Sequence, residues 1–282
     1  MGVWRFFKQS HEREASARQQ FVQSNVTARI RQLESELQTQ LFYRHSRGVT
    51  LTSAGKTLLA YTDKIMYLLD ETRKAVQHSP VPTGPLSIGS METTAAVSLP
   101  GLLAAYHKQY PDVDITLTTG PTEQLIDSVL HYEIEGVFVA GPVEHPDIVQ
   151  VPALQEELVL VVQPTQSFDA IFPEIKKRTI LVFRSGCSYR AKLEQWLRQE
   201  GLTPVKIMEF GSLDAILGCV VAGVGITLLP RSVVTDLERN GSIRCYPIPD
   251  HYGQVTTFFI RRRDLFITSA MEKFLEMTIA NT

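Results

Sequence analysis

The stretch from Gln23 to Gly55, QSNVTARIRQLESELQTQLFYRHSRGVTLTSAG, constrains the fold more than any other part of the chain. It reads as a helix, a short second helix, a basic β-hairpin and the start of a third helix. Ser24 and Asn25 carry the chemistry of a helix cap, and Val26, Ile30, Leu33 and Leu37 recur at helical spacing, which predicts one buried face. The opposite face presents Asn25, Thr27, Arg29 and Arg31, small polar and cationic groups able to hydrogen-bond base edges and phosphates. Arg44, His45, Arg47 and Gly48 follow, and Gly48 permits the turn of the hairpin. A helix with a solvated basic face is the commoner meaning of such a pattern in isolation. Here the helix, LFYR, RGV and LTSAG occur together and in order.

In that order and spacing the segment closely resembles the winged helix-turn-helix of the LysR-type transcriptional regulators. The resemblance implies a DNA-binding surface made of Gln23, Ser24, Asn25, Thr27, Ala28, Arg29 and Arg31, with Arg44 and Arg47 on the wing. Residues 1–21 are atypical. Trp4, Arg5, Phe6 and Phe7 resemble the start of the family's first helix, but KQSHEREASARQQ is polar throughout and lacks the paired alanines and leucine of the second. A helix polar all round does not bury itself. The alternative reading is therefore a two-lobed small-molecule-binding protein with a defective or vestigial DNA-binding head.

Charge supports a division of labour. Of the 28 basic and 30 acidic residues, 12 and 7 lie in residues 1–79, leaving 16 and 23 in the remainder. A basic head on an acidic body is the footprint of a chain in which only the head touches phosphate. No apolar run reaches the roughly 18 residues needed to span a bilayer, so no membrane partner is expected. MGVWRFFKQSHEREASARQQ lacks the apolar core of a signal peptide. Cys187, Cys219 and Cys245, odd in number and without metal spacing, suit a reducing cytoplasm.

Leu58, Leu59, Thr62, Ile65, Met66, Leu69, Thr72 and Val76 form a stripe at steps of three and four, which predicts a long helix needing a partner helix. The resemblance makes this the family's linker helix and implies a homodimer or homotetramer. Pro80, Pro82, Gly84 and Pro85 predict a hinge. Beyond it strands and helices alternate, which predicts a parallel sheet with helices on both faces, in two lobes around a cleft. LSIGSMETTAAVSLPGLLAAYHKQYPDVDITLTTG and VVAGVGITLLPRSVV resemble the family's effector-binding domain, an α/β two-lobed domain of the type 2 periplasmic-binding-protein kind. The expected fold is thus multidomain. An all-α winged helix-turn-helix head occupies 1–57, a linker helix 58–79, a hinge 80–85 and an effector domain 86–282. Lobe I takes 86–161 and 265–282, and lobe II 162–264.

No catalytic constellation emerges. His107, His131, His145 and His251 stand in unrelated segments without metal-pair spacing, Ser188 lacks a nucleophile elbow, and VAGVG lacks the spacing of a dinucleotide loop. Catalytic residues, metal and cofactor are accordingly expected to be none. Ligand binding fits better, because strand-to-helix turns offer free N–H donors. Ser90, Met91, Glu92, Thr93 and Thr94 lie at one such turn, Gly141 and Pro142 at the crossover between lobes, Ser185, Cys187 and Ser188 at another turn, and Ser212 at a third. Glu92 is unusual at an anion site. The expected partners are double-stranded promoter DNA, a second copy of the chain, a small-molecule effector and RNA polymerase.

Overall fold

A computed structural model describes residues 19–45, 48–76, 80–164, 175, 177–202 and 206–280, with side chains from Thr27 onward except Asp70. The chain falls into two compact units, residues 1–73 and 74–282.

In the first unit, α1 (Gln19–Glu36) leads through a turn to the hairpin β1 (Phe42–His45) and β2 (Gly48–Leu51), and then to α2 (Ser53–Val76). The turn passes through Gln38 at φ 48, a left-handed conformation that its side chain supports by donating to the Ser35 carbonyl at 2.7 Å. Ile30, Leu41 and Phe42 form the core, with Leu33, Leu51, Ala54 and Leu58 packed against them. Each such buried side chain contributes about 1.5–3 kcal/mol, so the unit rests on few residues. Polar contacts fix its corners. One Glu34 oxygen accepts the backbone N–H groups of Leu41 at 2.8 Å and Phe42 at 3.2 Å. Thr52 donates its hydroxyl to the Gln40 carbonyl and accepts from Gly55 N at 3.0 Å, closing the start of α2. In the hairpin His45 pairs with Gly48, whose φ of +139 suits glycine alone.

Farther along α2, Tyr61, Ile65, Leu68, Leu69 and Val76 are exposed, Val76 at 82% and Leu69 at 54%. Residues 61, 65, 68, 69, 72 and 76 lie along one face of this helix, in a row of three- and four-residue steps.

The second unit is built on a mixed sheet. Strand β3 (Gly84–Ser90) runs parallel to β4 (Val113–Thr119) and to β5 (Gly136–Ala140). Helices α3 (Glu92–Val97), α4 (Leu99–Gln109) and α5 (Thr122–Leu130) make the crossovers. The 15-residue β6 (Ile148–Val162) pairs antiparallel with β11 (Gln254–Arg262) over its first ten residues. Its last five pair with β9 (Thr227–Pro230) and β10 (Arg244–Pro247). The resulting order is β10-β6-β11-β5-β3-β4, with β9 also on β6. A second, parallel pair, β7 (Thr179–Phe183) and β8 (Lys206–Phe210), joins it through a bridge between Ile180 and Ile226. Around it lie α6 (Ser188–Gln199), α7 (Leu213–Val221) and α8 (Arg231–Arg239). The short α9 (Asp250–Gly253) precedes β11, and α10 (Ser269–Ala280) closes lobe I, where Phe138, Phe259 and Phe274 stack at 4.9 to 6.2 Å between ring centres.

Several expectations need correction. Turn residues 37–39 replace the short second helix, and Leu37 is 46% exposed because α1 ends before it. Ser24 and Asn25 lie inside α1, which already runs from Gln19, and so do not begin it. The sheet is mixed rather than parallel, since β11 returns antiparallel between β5 and β6. For the same reason β11 belongs to the first lobe and not to a lobe running from 162 to 264. The linker helix starts at Ser53, and Gly84 and Pro85 are already in β3 rather than in a hinge. Residues 1–18 and 77–79 lie outside the described residues.

Gly55 tests the head's packing. A β-carbon there would meet the Leu41 carbonyl oxygen. Gly55→Ala is expected to destabilise the head by about 1–3 kcal/mol in urea unfolding. Gly101→Ala, in α4 where the added carbon meets open space, should be neutral or stabilising by up to about 1 kcal/mol.

Candidate functional site

Two sites take shape, one in each unit. In the first, the helix turns Ile30 and Leu33 toward the core and carries Thr27, Ala28 and Arg31 along another face. Ala28, Arg29 and Arg31 are exposed and Thr27 is half-buried. Gln23, Ser24 and Asn25 continue the same helix by backbone. Arg44, on β1, is exposed, with Nη2 3.9 Å from Glu34 Oε2. The carboxylate that sets the turn thus also draws in the wing cation. Arg47 lies outside the described residues.

In the second unit a cleft of about 170 Å³ opens where four strands end. The turns after β3 and β4 supply one wall, with Met91, Glu92, Thr93 and Thr122 among its residues, and those after β7 and β8 supply the other, with Phe183, Arg184, Cys187 and Phe210. All four strands are parallel members of their sheets, so their carboxyl ends and the helix N-termini that follow converge there. Two contacts bridge the walls. Ser188 Oγ donates to Thr122 Oγ1 at 2.9 Å, and Glu123 N donates to the Gly186 carbonyl at 3.2 Å.

Beneath the cleft, Tyr189 at the start of α6 donates its hydroxyl to Glu156 Oε2 at 2.8 Å, and Thr257 of β11 donates to the same oxygen at 2.9 Å. Glu156 is 7% exposed. Burial, the Glu156 charge and the hydrogen bond to it push the Tyr189 phenol well above its usual range; Thr93 and Thr257 temper the rise. Thr93 Oγ1 is itself buried and lies near the Tyr189 phenol without a hydrogen bond of full geometry. Burial likewise raises the Cys187 thiol, against the pull of the Arg190 and Tyr189 backbone N–H groups and the Arg190 charge.

Of the expected effector residues, Met91, Glu92, Thr93 and Cys187 line this cleft. The others stand apart. Ser90 is fully buried and donates to the Met91 carbonyl, and Thr94 is fully buried. Gly141 and Pro142 do not line the cleft. Ser185 is exposed, Ser188 is engaged with Thr122, and the exposed Ser212 caps α7 by accepting from Ala215 N. Sequence reasoning missed Thr122, Arg184, Tyr189 and above all Glu156. The strand alternation around QEELVLVV was the one signal that could have turned Glu156 inward. Among the described residues no cluster of three His, Cys, Asp or Glu could hold a metal, and no helix is long and apolar enough to cross a membrane.

Comparison with known proteins gives matches to both units. Residues 80–281 match the LysR substrate binding domain, and residues 7–56 match the bacterial regulatory helix-turn-helix protein, lysR family. The second match takes in most of the stretch set apart as atypical, and nothing in the comparisons supports a vestigial head. The HTH-type transcriptional regulator GltR of Bacillus subtilis is 56% identical over 255 residues, 90% of this chain and 86% of its own. Full-length CbnR complexed with its target DNA aligns at TM-score 0.64 and 24% identity, covering 92% of this chain and 90% of that one. The effector binding domain of QuiR in complex with shikimate aligns at TM-score 0.60 and 17% identity, over 71% of this chain and 97% of that domain.

The raised thiol has a direct consequence. At pH 8 Cys187 is expected to react with iodoacetamide more slowly in the folded protein than in urea, where its pKa returns to the ordinary value. Peptide mass mapping would check this, and equal rates in both states would contradict it.

Proposed function

This chain belongs to the LysR family of bacterial helix-turn-helix regulators, and from that premise we propose that it binds double-stranded promoter DNA as an oligomer and answers to a small molecule held in its cleft. The observation that carries this reading is the head, where an exposed polar and cationic face on α1 stands opposite a small apolar core, beside a hairpin carrying a further arginine. Thr27 and Asn25 read base edges, while Arg29, Arg31, Arg44 and Arg47 meet phosphates. Gln23, Ser24 and Ala28 complete the contact surface. The exposed apolar row of α2 pairs with its copy in a second subunit, which places two heads on a site with dyad symmetry. The protein acts in the cytoplasm and regulates by binding rather than by turnover.

A gel shift on the DNA upstream of its own gene and the divergent neighbour tests the whole reading. Thr27→Ala should weaken specific binding by about 1–3 kcal/mol and spare non-specific binding. Arg47→Ala should weaken binding to every sequence and flatten its salt dependence. Equal loss on both kinds of DNA for Thr27→Ala would remove its base-reading role.

Leu69→Asp places a charge on the exposed row of α2 and is expected to dissociate the oligomer without unfolding the second unit. Sedimentation that finds the oligomer intact would move the interface elsewhere.

A further inference from the structure

Two opposite charges face the cleft from opposite walls, and neither has a partner. Glu92 lies on the wall made by the turns after β3 and β4, and Arg184 on the wall made by those after β7 and β8. Among the described residues neither side chain makes a hydrogen bond or an ion pair. Two ions nearby do pair, while Glu123, whose carboxylate lies against Gly186, is like Glu92 without a partner among the described residues. Arg190 is held by Glu194 at 2.8 Å and by Glu209, and Glu156 accepts two hydroxyls. Arg184 is also positioned, since its guanidinium packs over Gly211, with Nη2 3.1 Å from where a β-carbon of that glycine would stand. The buried Thr93 hydroxyl, also on the cleft lining, makes no hydrogen bond of full geometry. The N-termini of α5 and α6 add backbone donors there, and the half-buried rings of Phe183 and Phe210 add an apolar surface. A simple anion would satisfy Arg184 and leave Glu92 facing it unpaired. A simple cation would do the reverse.

We propose that the ligand of this cleft is a small zwitterion of the α-amino acid class, with its carboxylate on Arg184 and the helix N-termini and its ammonium group on Glu92. The proposal rests on the reading of the cleft as the effector site and narrows that site's chemistry. A ligand of this kind satisfies both charges at once and bridges the two walls through its own covalent frame. The cleft, at about 170 Å³, suits a molecule of that size.

The test uses the full chain and a paired panel, the common L-amino acids against the 2-oxo acids that match them in all but the amine, read by thermal shift and calorimetry. At least one amino acid is expected to bind, with its oxo acid about tenfold or more weaker, because an ammonium–carboxylate hydrogen bond is lost. Glu92→Gln should erase that preference, and Arg184→Gln should weaken both compounds. A merely structural role for Glu92 at the start of α3 would shift the melting of the free protein and leave the amino acid to oxo acid ratio untouched. Oxo acids that bind as well as amino acids and lose affinity in Arg184→Gln, with Glu92→Gln without effect, would overturn the zwitterion and leave the cleft as the effector site. A panel in which no compound of either class binds would overturn both.

Discussion

A carboxyl group taken out of water must be solvated by the protein around it, and Glu156 is solvated from two directions. Thr257 reaches it along the sheet of the first lobe, and Tyr189 reaches it from the first turn of α6 in the second. Leaving such a group without its donors costs several kcal/mol, so the relation between the lobes is fixed where this oxygen can be served by both. The backbone enforces the same relation. Strand β6 carries Glu156 near its middle and passes from β11 to β9 and β10 without a break, so the two halves share one ladder. The ladder shifts register between Thr257 and Phe258, next to the hydroxyl that serves Glu156. Irregular pairing therefore lies where the lobes meet, and regular pairing on either side of it. The cleft forms above this junction, with its walls held by Tyr189 from below and by Ser188 and Thr122 across the mouth.

Unlike the turn at 37–39 and the start of α1, the head's hairpin and small core were legible, because their contacts are short in sequence. Glu34 serves Leu41 and Phe42 seven and eight residues on, and Thr52 serves Gly55 three residues on. A motif can encode such contacts completely. The body was legible as elements but not as pairings. The stretch from Ile148 to Glu157 mixes apolar, polar and Pro152 positions, so it lacks the run that announces Leu158–Val162, and only pairing with β11 a hundred residues later makes it a strand. That partner lies beyond the reach of any local pattern, which is why a mixed sheet read as a parallel one. The cleft was half legible for the same reason. The turns after β3, β7 and β8 announce themselves by their glycines, serines and threonines. Which hydroxyl turns inward is decided by tertiary packing: Thr93 lines the cavity while Ser90 and Thr94, on either side, are sealed in the core.

The division between the two units falls at Arg73 and Lys74, inside α2 rather than in a loop. A helix propagates order cheaply once begun, while restarting one is costly. The second unit's share of α2 is residues 74–76, less than a turn, and continues a helix nucleated in the first. Melting the first unit therefore removes the nucleus of a 24-residue helix that runs about 36 Å at the usual rise per residue, and with it the exposed apolar face on which a second copy would dock.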